Sequence, residues 1–319
     1  MQTTAVLPGG LTVRAPEVGD AEAIFGLVSA YNTGLVGLPD CTLAEIGDGI
    51  VEPGFDRAAD GWLVIAQDGA PVGYGSTYGR VGRQSIEIQL TSPEPVVAAW
   101  LFDRTMRRAH EMGREAGHAE ITVDTFAYHD DEKLRALLEE HAFTIGTTYH
   151  RMRVDHTEPV EAPEVPDGVV VRRGALDDAT QWTAHEVILD CFRGQYGFTP
   201  RPHDEWLEAR NASSTMSWSD ITLLEIDGRA VAVRDCSDNF LGENCGHVGM
   251  LGVLEEFRGR GLAKFLLRDA FALDAAAGRD GTILLVDTNN PTPALDLYLS
   301  VGFTPTLVFE GWQRTLPVS

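Results

Sequence analysis

The chain runs through the same succession of patterns twice, about 160 residues apart. Residues 11–32 and 169–192 each open with a β-branched run ending in arginine and turn through polar residues. Each continues with apolar positions three and four apart, the spacing of a helix with one buried face. Residues 61–79 and 219–237 each read as two strands joined by Asp-Gly, at Asp68-Gly69 and Asp227-Gly228, a pair that tolerates positive φ and suits a type I′ hairpin. Residues 120–154 and 282–316 each pass from a buried strand ending in Val-Asp-Thr through a short helix to an aromatic and a last strand. Matched positions are offset by 158 (Leu11 to Val169) to 163 (Val123 to Val286), so insertions are small. Each half is expected to be one β-α-β-β-β-α-β-α-β unit, which makes the fold mixed α/β with two tandem domains. Residues 155–168 hold three prolines and five acidic residues without aliphatic periodicity, as an extended connector does. The expected division is a domain at 1–154, a linker at 155–168 and a domain at 169–319.

At 319 residues and 44% hydrophobic content there is apolar material for two cores. A net charge of −23 repels phosphate backbones and anionic lipid, so neither nucleic acid nor a membrane is an expected partner. With no long apolar run and no cationic start, the expected location is the cytoplasm. Cys41, Cys191, Cys236 and Cys245 form no CxxC pair. They read as reduced, buried thiols, with neither a disulfide framework nor a metal site expected.

The segment that carries chemistry lies in the second half. Residues 248–253 read as a strand, and Phe265, Leu266, Ala270, Phe271 and Leu273 supply a helical apolar face. Arg258-Gly259-Arg260-Gly261-Leu262-Ala263 therefore sits where a strand hands over to a helix. There the first main-chain N–H groups have no partner and the macrodipole is positive, and glycines let an anion approach the bare backbone. The spacing R-x-x-G-x-A is neither GxGxxG nor G-x-x-x-x-G-K-[ST], so neither a dinucleotide nor a nucleoside triphosphate is indicated.

Residues 251–263 resemble motif A of the GNAT acetyltransferase superfamily, and Asp287-Thr288-Asn289-Asn290-Pro291 followed by residues 294–303 resembles its motif B. In size and layout the chain is similar to tandem members of the mycothiol synthase type. The resemblance implies acetyl-CoA as cosubstrate and a small amine as acceptor, joined by direct transfer in a ternary complex. It implies that the amides around Arg260, Gly261, Leu262 and Ala263 hold the pyrophosphate, that the backbone of Leu251 and Val253 lines the pantetheine arm with Val253 N–H polarising the thioester, and that Arg258, Gly259 and Asn290 also belong to the cofactor site. Acyl transfer to an amine needs such a donor where negative charge develops, a base for the amine and an acid for the leaving thiolate. Tyr298 occupies the family position of the acid. For the base the candidates are His247, whose ordinary pKa is about 6.5, and the carboxylates Glu225, Asp235 and Asp287. Tyr196, Phe198, His203, Asp204, Glu205 and Trp206 are candidates for the acceptor pocket, or for packing a helix on the core.

The first half departs from the pattern. Pro93, Glu94 and Pro95 stand where the glycine loop belongs, removing N–H donors and adding a like charge. Residues 138–143 also lack the tyrosine and glycine of the second motif. This half is expected to brace the active one without holding CoA, so that the duplication supplies an internal pseudo-dimer and the chain is a monomer. Two other functions fit the sequence: an acyl-CoA-binding sensor or scaffold without turnover, and a peptide N-acetyltransferase with an open groove.

Overall fold

The computed structural model describes residues 6–195, 198–289, 292 and 294–318. The chain divides into two compact units, one running through Thr148 and resuming at Val308, the other Tyr149–Leu307. No helix among the described residues is long and apolar enough to cross a membrane.

In the first unit, β1 (Thr12–Arg14), β2 (Gly61–Ile65), β3 (Pro71–Gly79), β4 (Ser85–Thr91) and β5 (Glu120–Tyr128) lie side by side in that order. Three helices, α1 (Ala21–Val36), α2 (Leu43–Val51) and α3 (Arg57–Asp60), intervene between β1 and β2 where the sequence suggested one. The helix α4 (Pro95–Glu115) buries Leu101, Phe102, Ala109 and Met112 against β3 and β4, and α5 (Glu132–Glu140) adds Leu138 to the same core.

The second unit repeats the plan. Its strands are β7 (Val169–Arg173), β8 (Ile221–Ile226), β9 (Arg229–Ser237), β10 (Cys245–Val253) and β11 (Gly281–Asp287), again in sheet order. Helices α6 (Asp178–Phe192) and α7 (His203–Ala212) precede β8, α8 (Leu262–Ala276) joins β10 to β11, and α9 (Ala294–Ser300) follows. Each unit has one parallel pair, β4 with β5 and β10 with β11, as a crossover helix requires. Leu267, Ala270 and Phe271 of α8 pack with Val248, Leu284 and Val286 on one face of the sheet, while Ala184, Ile188 and Cys191 of α6 pack on Val233 and Leu223. Arg234 of β9 is 2% exposed; it donates to Leu266 O at 2.7 Å and to the Asp269 carboxylate at 2.8 Å, which fixes α8 beneath its strand.

Two expectations need correction. Asp227 and Gly228 both take positive φ, at 51° and 76°, and form the two-residue turn foreseen. At Asp68-Gly69 only Gly69 does (φ 88°). There Gly69 N–H donates to Ala66 O and Ala66 N–H to Ala70 O, so the loop is longer by a residue and the register shifts beside it. The closing strands also exchange. From Tyr149 onward β6 (Thr144–Asp155) pairs with β11 in the second unit, and from Phe309 onward β12 (Thr304–Pro317) pairs with β5 in the first. The division at 155–168 therefore does not separate the two compact units, although that segment is without helix or strand from residue 156 to 168.

Candidate active site

The site is built on the place where two parallel strands part. The ladder between β10 and β11 runs from Cys245↔Gly281 to Val248↔Leu284 and stops, while β10 stays paired with β9 as far as Val253↔Ala232, past a bulge between Val248 and Met250. A strand paired on one side presents its remaining N–H and C=O groups on the other. Here that edge, from Gly249 to Val253, lines a cleft of about 650 Å³ whose far wall is Leu284–Asp287.

The strand leads into the glycine loop. Arg258 Nε donates to Val253 O at 3.1 Å, pinning the loop to the strand it follows. Gly259 and Gly261 take φ of 75° and 78°, a region that disfavours a β-carbon, and open space lies where one would stand. The first turn of α8 begins with Phe265 N–H bonded to Gly261 O at 2.9 Å, so Leu262, Ala263 and Lys264 have amides without a helical acceptor. No side chain caps this end and no acid stands in its first turn. It therefore offers bare donors, a positive dipole end and the cations Arg258 and Lys264 at the cleft, a donor set that fits a diphosphate. Leu251, Val253, Arg258, Gly259, Gly261, Leu262 and Ala263 all line the cleft. The guanidinium of Arg260 lies over the Phe257 ring at 4.9 Å, outside that lining, and Asn290 lies outside the described residues.

Of the acid and base candidates, Tyr298 and Asp287 line the cleft. Tyr298 stands edge-on to Phe303 at 6.0 Å, and burial pushes its phenol up to about 12. The other three lie elsewhere. His247 pairs across both of its neighbours, with Ile283 and Ser237, at a point where the sheet is still closed. It is 9% exposed, its Nδ1 is 2.8 Å from Ser237 Oγ, and burial, aided by nearby Arg151, depresses it to about 4. Glu225 is on β8, two strands from the opening, and accepts from Arg172 Nε at 2.7 Å. Asp235 is buried and held by both terminal nitrogens of Arg210, at 2.7 and 3.0 Å.

Among the acceptor candidates, Phe198 lines the cleft. His203 and Trp206 of α7 instead pack on His185, with Trp206 stacked at 4.8 Å, while Asp204 and Glu205 occupy the first turn of that helix, where acids stabilise its dipole. Tyr196 is outside the described residues. Sequence reasoning missed Tyr149, brought to the lining by the exchanged β6, and Cys191, whose helical spacing marks only a core position. Burial pushes the Cys191 thiol up to about 12, so it rests as SH. Among the described residues no group of three or more His, Cys, Asp or Glu is arranged to hold a metal.

The equivalent place in the first unit is built differently. The β4–β5 ladder also ends early, at Glu87↔Asp124, but Glu94 is the N-cap of α4 and Pro95 its first residue. The pocket there is about 370 Å³ and lined by Leu90, Pro93, Pro95, Leu134 and Leu137 among others. One donor is absent and a carboxylate stands at the helix end.

The sequence model of the acetyltransferase (GNAT) family matches residues 182–303. No curated protein matches the chain in sequence. Among solved structures, a GCN5-related N-acetyltransferase from Sphaerobacter thermophilus is similar over 98% of both chains, with 21% identity and a TM-score of 0.81. A tandem GNAT protein from the clavulanic acid biosynthesis pathway is similar over 97% of this chain and 99% of its own, with 16% identity and a TM-score of 0.70. Saccharomyces cerevisiae N-myristoyltransferase with bound myristoyl-CoA is similar over 97% and 79%, with 12% identity and a TM-score of 0.62. These structural likenesses show the fold.

Proposed function

From the match of residues 182–303 to the acetyltransferase (GNAT) family, we propose that the chain is an acyl-CoA-dependent N-acetyltransferase. In this reading its second unit passes an acetyl group from acetyl-CoA directly to a small amine. The observation that carries the reading is the uncapped start of α8 at the mouth of the cleft between β10 and β11.

The amides of residues 262–264 and the side chains of Arg258 and Lys264 hold the diphosphate. The open edge of β10 at Leu251 and Val253 meets the carrier arm with main-chain groups. When bound, the thioester supplies an activated acyl carbon. A preorganised backbone N–H on this edge stabilises the charge that develops on the carbonyl oxygen, an effect worth about 3 kcal/mol per donor in a dry site. Tyr298, protonated at neutral pH, gives its proton to the departing sulfur, and the proton shed by the acylated nitrogen passes to water. The protonated Cys191 thiol favours direct attack by the amine over a covalent acyl-enzyme.

Calorimetry with acetyl-CoA followed by thiol release over a panel of amines tests the reading. Binding with release on at least one amine supports it. Binding without release on any amine favours a sensor, and absence of binding removes the proposal.

A further inference from the structure

Among the described residues, the cleft lining carries charge at two places, Arg258 and Lys264 beside the start of α8 and Asp287 on the opposite wall. Asp287 ends β11. Along that strand Leu284 and Val286 enter the core under α8, so by alternation Leu285 and Asp287 project from the other face of the sheet. Across the β6–β11 ladder the residue facing Asp287 is Tyr149, which shares the cleft lining. Asp287 Oδ1 accepts the Asn289 N–H at 2.8 Å, which fixes the carboxylate relative to its strand end. The remaining described lining on this face, with Leu285 and Phe198, is largely apolar.

We propose that Asp287 is the acceptor-selecting residue: its carboxylate binds a cationic nitrogen of the acceptor on the sheet face opposite α8, with the Tyr149 ring alongside. The substrate class is then small amines that carry a second, cationic nitrogen beside the one acetylated, such as diamines and polyamines, in preference to acceptors without it. The inference rests on the acyl-transfer reading above and adds a substrate class to it. The cleft divides the work by charge, with cations and amide donors holding an anionic carrier and one carboxylate meeting a cationic acceptor. A carboxylate in a site of low dielectric discriminates strongly for a cation, since its interaction is weakly screened there. The net charge of −23 further concentrates cations around the molecule.

The test is calorimetry on the full chain saturated with coenzyme A, so that no turnover interferes. The probes are putrescine against 1,4-butanediol and 1,3-diaminopropane against 1,3-propanediol. In the unsubstituted protein at least one amine is expected to bind ten times more tightly than its alcohol partner. That preference is expected to fall to within twofold in Asp287→Asn, which retains the acceptor for Asn289 N–H, and to persist in part in Asp287→Glu. Equal melting temperatures confirm that each variant is folded. An unchanged preference in Asp287→Asn, or none in the unsubstituted protein, overturns the assignment while the measured heat of coenzyme A binding leaves the acyl-transfer reading standing. Absence of that heat defeats both.

Discussion

Tyr298 and His247 show how differently two candidate proton-transfer groups fare once the chain is folded. Tyr298→Phe removes only a hydroxyl, and kcat is expected to fall about a hundredfold, within the range for a lost general acid, with acetyl-CoA affinity unchanged. Steady-state kinetics beside calorimetry check both halves of that statement. His247 is instead a stability group. Its folded pKa of about 4 lies below its ordinary 6.5, so its contribution is complete above 6.5 and is lost as pH falls toward 4, by about 3 kcal/mol in all. The difference in unfolding free energy between the native chain and His247→Asn should therefore shrink between pH 6.5 and 4. Subtracting the two cancels Asp124 of the first unit, raised to about 6 by burial, whose slope has the opposite sign. A constant difference would show that His247 does not titrate in that window. The sequence marked the right residue types, but not which were within reach. His247 lies one residue before the last pair of the β10–β11 ladder, and strand pairing sets where that ladder ends.

At the scale of elements, the loop from Arg258 to Ala263 was legible because glycines at a strand-to-helix junction have few structural uses that leave the backbone open. The approach of α6 to β10 was not legible. A β-carbon at Gly252 would stand 2.6 Å from Cys191 Cβ and 2.8 Å from its sulfur, so the helix rests on the bare strand where the cleft begins. Gly252→Ala is expected to cost about 1–3 kcal/mol through this overpacking. Urea unfolding measures it, and a loss under 0.5 kcal/mol, about the spread of neutral surface changes, would mean the contact yields freely. The buried pair of Arg210 with Asp235 ties α7 to β9. Arg210→Ala strands a buried carboxylate and is expected to cost about 3–5 kcal/mol by the same measurement. Two of the acidic base candidates were hidden by such pairing, since a sequence pattern does not tell a catalytic carboxylate from one already satisfied by arginine.

For the whole molecule, the internal repeat disclosed the order of elements but kept each closing strand within its own half. Residues 144–155 and 304–317 carry similar alternating patterns, and alternation specifies a buried face without naming the neighbouring strand. The exchange brought Tyr149 to the cleft lining and left the first unit dependent on residues from 308 onward. Cutting the chain within 155–168 should therefore yield two fragments that aggregate when produced apart. Size exclusion with circular dichroism decides this: two soluble, folded fragments would contradict the exchange. On the proposed reading one carrier binds per chain, since one unit opens a bare helix end to its cleft and the other has Pro95 and Glu94 at the equivalent place. The most direct measurement is isothermal calorimetry of acetyl-CoA against the intact chain and against Gly261→Val, which forces a branched side chain into a left-handed backbone at the start of α8. One molecule bound per chain, with affinity at least tenfold weaker in the variant, is the expected result; no binding, or equal binding in the two proteins, would contradict it.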